Sequence, residues 1–231
     1  MVEHTVRAFA NEISQLRGLI AEMGGLAEVA IRDSIQALVQ RDEEKAREIV
    51  ANDPRIDALE AEVDRLVVRI IALRAPMADD LREVIAALKI SGVIERIGDY
   101  AKNIAKRVIQ FEGPAQIEPM MLVPAMAEIV QGMVRDVLNA YGARDPQLAV
   151  EVIRRDDKVD QFYNSIFRNL VTFMIEKPAT IGDAAQLLFV ARNLERMGDH
   201  ATNVAEMVYF AATGEYCTER DTSEDRDRGT L

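Results

Sequence analysis

ERIGDYAKNIA, Glu95 to Ala105, places Glu95, Asp99 and Asn103 at i, i+4 and i+8, with Gly98 among them. ERMGDHATNVA, Glu195 to Ala205, does the same with Glu195, Asp199, Asn203 and Gly198, one hundred residues later. Residues four apart share one face of a helix. A row of oxygen-bearing side chains on a helix, written twice, therefore asks for a helical fold with an internal repeat.

Working outward, apolar residues recur at steps of three and four on nearly every segment. Phe9, Ile13, Leu16, Ile20, Met23, Ala27, Ile31, Ile35 and Leu38 form one stripe. Ile56, Leu59, Val63, Leu66, Ile70 and Leu73 form a second, and Ile90, Ile94, Ile97, Ala101, Ile104 and Val108 a third. Val190, Leu194, Met197, Ala201, Val204 and Val208 repeat the third one hundred residues on. Such stripes are the seams of helical bundles. No alternating pattern is sustained, so the chain reads as all-α.

The breaks repeat too. Arg41-Asp42 ends the first long helix and caps a short one from Glu43 to Ala51. Asp53-Pro54 predicts a second cap with Pro at the first helical position, and a helix to about Arg74. Pro76 marks a turn before a helix from about Ala78 to Phe111. In the second half Arg144-Asp145 caps a short helix, and Asp156 precedes a long one ending near Lys177-Pro178. A last helix runs from about Ile181 to Ala212. The offset between halves is 103 early and 100 late, which a three-residue deletion near the second hairpin reconciles. Shared caps and a shared acidic core distinguish a true repeat from two bundles that merely look alike. The expected organisation is a bundle at 1–112, a linker around Gly113, Pro114 and Pro119, a bundle at 119–213, and a mobile tail at 214–231.

Composition narrows the function. Charged residues make up 29% and apolar residues 49%, which suits a folded domain. The formal net charge is −11, which argues against direct nucleic-acid or anionic-lipid binding. Cys217 is the single cysteine and forms no internal disulfide, as expected in a reducing compartment. The N-terminus lacks the pattern of a signal peptide, and no stretch reaches the ~18 apolar residues of a membrane span. The expected location is the cytoplasm.

Each half carries a second acid pair at i, i+4: Asp53 and Asp57, then Asp156 and Asp160. Pro76 lies midway between the centres of Asp53/Asp57 and Glu95/Asp99. The midpoint of Asp156/Asp160 and Glu195/Asp199 falls between Lys177 and Pro178. Folding each hairpin at its turn brings four carboxylates to one level. Two unit charges ~4 Å apart repel by about 4 kcal/mol at an effective dielectric of 20. Solvent, raised pKa values, arginine partners or cations must offset that. Oxygen-only donors suit Mg, Ca, Mn or Fe. The candidate metal ligands are Asp53, Asp57, Glu95, Asp99, Asp156, Asp160, Glu195 and Asp199, with Asn103 and Asn203 one turn further on. A mid-helix glycine costs about 1 kcal/mol against alanine, so Gly98 and Gly198 suggest that a backbone or a metal cluster sits close by. His200 reads as an ordinary surface or packing residue rather than a ligand, because its counterpart in the first half is Tyr100. His4, Cys217 and the ten methionines read as bystanders or filler.

APMADDLREVIAALKISGVIERIGDYAKNIA and KPATIGDAAQLLFVARNLERMGDHATNVAE resemble the two signature segments of the PhoU family. The resemblance implies two tandem, pseudo-symmetric three-helix bundles in an elongated molecule. It implies a cytoplasmic, commonly dimeric regulator of phosphate uptake that is not an enzyme. Such proteins act with the ATP-binding subunit of the phosphate ABC transporter and with a phosphate-sensing histidine kinase. They keep the phosphate-starvation response off and restrain uptake. It also implies metal clusters on E/D-x-x-x-D motifs, with Fe, Zn, Mn or Mg as the ions; the four acid pairs above match that motif.

Two rival readings stand beside this one. A carboxylate-bridged metalloenzyme would use Glu-x-x-His, but Gly98 and Gly198 occupy the His position. A metal-free helical scaffold would leave the acids as exposed charges.

Overall fold

A computed structural model describes residues 2–111 and 118–217, with side chains from 7–111 and 120–217. The described residues form α-helices and short 3-10 turns, without strands. The helices are α1 (Val2–Gln40), α2 (Glu43–Asn52), α3 (Pro54–Arg74), α4 (Asp79–Val108), α5 (Val123–Ala143), α6 (Pro146–Glu176) and α7 (Ile181–Thr213). Gly113 and Pro114 of the expected linker, the His4 side chain and the tail beyond Cys217 lie outside the described residues. Pro119 falls in a 3-10 turn, Glu118–Leu122, which leads into α5.

α1, α3 and α4 make the first bundle, with α2 laid across α1 and α4; α5, α6 and α7 make the second. The two bundles pack on each other through α4 against α7 and α1 against α5. The apolar stripes supply the core. Leu16, Ile20, Met23, Ala27 and Ile31 of α1 are buried, as is the whole Ile90–Val108 stripe of α4 and its Val190–Val208 counterpart on α7. On α3 the stripe holds from Ile56 to Ile70 but Leu73, in the last turn, is exposed.

Arg41 and Arg144 both take the left-handed conformation, φ 53° in each. The amides that follow reach back in the same way, Asp42 N–H to Ala37 O and Asp145 N–H to Ala140 O, both 2.9 Å. This is a left-handed helix termination. Asp42 then accepts from the Lys45 amide at 2.9 Å, and Asp145 from the Gln147 and Leu148 amides at 2.9 and 3.1 Å. The first turn of the repeat is thus built twice from Arg-Asp.

Two expectations need correction. The second half has no separate short helix: α6 runs unbroken from Pro146 to Glu176. Pro54, which separates α2 from α3, aligns with Asp157, and nothing there removes an amide from the ladder. Asp53 is also not a side-chain cap. It sits in helical conformation at φ −53°, ψ −42°, with its carboxylate turned elsewhere. The hairpin turns fall where expected. α3 ends on Ala75 in the left-handed region, before Pro76, and α6 ends at Lys177-Pro178.

Candidate functional site

Gly98 and Gly198 lie at close contacts between the two helices of each hairpin. A Cβ on Gly98 would stand 2.8 Å from Ile56 Cδ1, and one on Gly198 3.2 Å from both Val159 Cγ1 and Asp156 Oδ1. Ile56 and Val159 are counterparts under the 103-residue offset. What fills the glycine notch is therefore a side chain of the neighbouring helix, neither a backbone nor a cluster. The notch sets α3 on α4 and α6 on α7 at the level of the acids.

In the first bundle that level gathers Asp57 and Glu60 from α3 with Glu95 and Asp99 from α4. Burial pushes the Glu95 carboxyl up from 4.5 to about 7, helped by the charges of Asp99, Glu60 and Asp57 and opposed by Arg96. Glu60 is raised as well, first by burial and then by Asp64 and Asp57. Asp53 and Asp99 are joined by a cation: Lys102 Nζ donates to Asp53 at 2.5 Å and to Asp99. Burial alone would lower the Lys102 pKa, but those two bonds outweigh it and raise it.

The second bundle solves the same problem differently. Glu195 is 9% exposed. Its Oε1 accepts from Arg192 at 2.6 Å, while its buried Oε2 has no hydrogen-bond partner among the described residues. Burial raises its pKa, Asp199 and Asp160 raise it further, and Arg192 and Arg196 oppose them. Asp156 lies against the Gly198 notch.

The four acid pairs thus meet hairpin by hairpin, Asp53/Asp57 with Glu95/Asp99 and Asp156/Asp160 with Glu195/Asp199. They do not close up. Among the described residues no group of three or more His, Cys, Asp or Glu side chains converges closely enough to hold an ion. Asn103 lines a cleft with Lys106, Arg107 and Arg192, and that lining includes no carboxylate. Asn203 is half-buried.

Glu60 and Lys102 escaped the sequence reading. Both sit on the right faces, three residues after Asp57 and Asp99. Their repeat counterparts, however, are Tyr163 and Thr202, so a search for doubled acids passes over them.

The family model of the PhoU domain matches residues 20–108 and again 123–208. The chain belongs to the PhoU family. The phosphate-specific transport system accessory protein PhoU homolog of Zymomonas mobilis is 53% identical, over 97% of this chain and 94% of that protein. The homolog of Caulobacter vibrioides is 47% identical, over 94% and 95%. The crystal structure of PhoU from Pseudomonas aeruginosa superposes with a TM-score of 0.87 at 36% identity, covering 90% of this chain and all of that one. The phosphate transport system regulatory protein PhoU from Streptococcus pneumoniae gives 0.85 at 26%, covering 90% and 99%. These relatives are named as accessory and regulatory proteins of phosphate transport. Among the described residues no helix is long and apolar enough to cross a membrane.

Proposed function

We propose that this chain is a cytoplasmic accessory regulator of phosphate transport. It represses the phosphate-starvation response when phosphate is abundant and restrains uptake, acting as a homodimer on the ATP-binding subunit of the phosphate ABC transporter and on a phosphate-sensing histidine kinase. What supports this reading is the PhoU domain matched in both halves of the chain, with relatives named as phosphate-specific transport system accessory proteins at 53% and 47% identity across nearly their full length.

The acid rows are the cation-binding part of this account. Glu195 Oε2, buried and unsatisfied, calls for a cation. So does Glu95, whose charge is opposed by burial and three acidic neighbours. The donors are oxygens only, which suits Mg, Mn or Fe; Zn accepts carboxylates as well. Asp156, Asp160, Glu195 and Asp199 would hold an ion in the second bundle, and Asp57, Glu95 and Asp99 with Glu60 in the first. A bound ion would neutralise the row and tie the two helices of each hairpin. At Asp53 the Lys102 ammonium already does this, and it must move if Asp53 is to bind a metal.

A metal-free scaffold is the second reading. It is favoured by the Asp53–Lys102–Asp99 clamp and by the open spacing of the carboxylates.

The functional test is complementation. A bacterial strain lacking its own PhoU is supplied with this chain or with the Asp99→Ala/Asp199→Ala variant, and a phosphate-starvation reporter is read in phosphate-rich medium. Silencing by the wild type and failure of the variant support the proposal. A reporter that stays on with a stably produced wild type contradicts it.

A further inference from the structure

A cleft of about 410 Å³ opens between α4 and α7, where the two bundles meet. It is lined by Lys106 and Arg107 from α4 and by Arg192 and Arg196 from α7, and none of its lining residues is a carboxylate. In a chain of net charge −11 such a concentration of positive charge is out of keeping with the rest of the surface.

The internal repeat supplies a control. The pseudo-twofold that exchanges α4 and α7 maps this cleft onto a second position, where the same places carry different residues. Lys106 maps to Glu206, Arg107 to Met207 and Arg192 to Gly92; Arg196 keeps its cation as Arg96, and Phe189 is exchanged for Lys89. Bundle packing alone would treat the two sides alike, because the core stripes do. Four cations line the cleft, against two, Lys89 and Arg96, beside Glu206 on the other side, so the positive charge is concentrated in the cleft.

The cations are also held ready. Arg107 donates to the neutral Gln186 side chain at 2.7 Å and lies 4.0 Å over the Phe189 ring, so these contacts fix its guanidinium without cancelling its charge. Lys106 and Arg196 make no ion pair among the described residues, while Arg192 is paired with Glu195. Asn103 and Asn193 add amide groups to the wall. Fixed guanidinium forks and an ammonium are the usual recognition groups for phosphoryl oxygens.

We propose that this cleft binds a small phosphate-bearing anion at the junction of the two bundles. Because both α4 and α7 contribute, an occupied cleft ties the bundles together across their interface. The cations lie one to two turns from Asp99 and Asp199 along the same two helices, so occupancy bears directly on the acid rows. The site is separate from the metal reading and stands whether or not the acid rows hold ions.

The test is titration calorimetry with three probes: inorganic phosphate, tripolyphosphate and ATP. The protein is used as purified, as wild type, Lys106→Glu/Arg196→Glu and Lys89→Glu/Arg96→Glu. The two double variants change the net charge equally, and the second alters the pseudo-symmetric side. Saturable binding of at least one probe is expected, weakened tenfold or more by the first variant and less than twofold by the second. The tightest probe identifies the source of the phosphoryl group. No saturable binding of any probe overturns the proposal, as does equal weakening by both variants, which would mean bulk charge alone. Lys106→Gln/Arg196→Gln, which adds no repulsion, is carried alongside with thermal melts. Undiminished affinity in a folded glutamine variant also overturns it.

Discussion

Tyr100 and His200, one hundred residues apart, stack on each other with ring centroids 5.4 Å apart and an 18° angle between planes. The phenol oxygen and His200 Nε2 are 3.2 Å apart. A residue can meet its own repeat counterpart only near the axis that relates the two halves, so this pair marks where α4 crosses α7. Burial lowers the His200 pKa; Arg96 lowers it further, Asp199 opposes, and Arg196 lowers it again. The unfolded chain therefore binds more protons than the fold between the folded pKa and 6.5. Stability rises with pH through that window and is lost as pH falls through it. In proton NMR, with His4→Gln to assign the signals, His200 is expected to titrate below 6.5; a value at or above 6.5 contradicts the packing role.

Most of this architecture is legible in the residues themselves, because each apolar stripe is long and the Arg-Asp caps recur. The break expected before Asp156 is absent because of one residue: Asp157 stands where Pro54 does, and a helix continues unless something stops it. The acid rows were legible as levels, since the turns at Pro76 and Lys177-Pro178 fix them. Their chemistry was not. Whether a cation is needed depends on what lies between the acids, and Lys102 is supplied by the helix that carries Asp99 without being repeated in the other half.

Glu95 sets a pH dependence of opposite sign to His200. Its folded pKa of about 7 exceeds the ordinary 4.5, so the metal-free fold holds a proton that the unfolded chain has released. Stability from this group is complete below 4.5 and is lost as pH rises through 7. Glu95→Gln, free of that loss, is expected to melt higher than wild type at pH 8 after chelator treatment, with the gap closing towards pH 5. Equal melting temperatures at pH 8 would show that Glu95 is better solvated than its surroundings indicate.

Lys102→Met removes the ammonium between Asp53 and Asp99. An unsatisfied buried acid costs about 1–3 kcal/mol, so the metal-free variant should melt lower than wild type. Added Mn is expected to raise the variant more than the wild type, since the ion and the ammonium compete for the same oxygens. Identical Mn responses in the two proteins would remove Lys102 from the account.

Gly98→Ala and Gly198→Ala gain the same helix propensity, about 1 kcal/mol each. They differ in what the new methyl meets. At 98 it meets the end of Ile56, which can turn aside; at 198 it meets the branch of Val159 and the Asp156 carboxylate. Overpacking costs about 1–3 kcal/mol. Denaturant unfolding should find Gly98→Ala near neutral and Gly198→Ala destabilised by about 1 kcal/mol or more. The reverse order would mean that the second hairpin is the looser one.

The central claim, that the paired acids of each hairpin are cation sites, is tested most directly by elemental analysis. The untagged protein is purified without chelator beside Asp99→Ala/Asp199→Ala, and both are reloaded with Fe, Mn, Mg and Zn. About one equivalent or more of metal in the wild type, and much less in the folded variant, is the expected result. No metal in either protein, even after reloading, would contradict it and leave the acid rows as charged, metal-free faces of a helical scaffold.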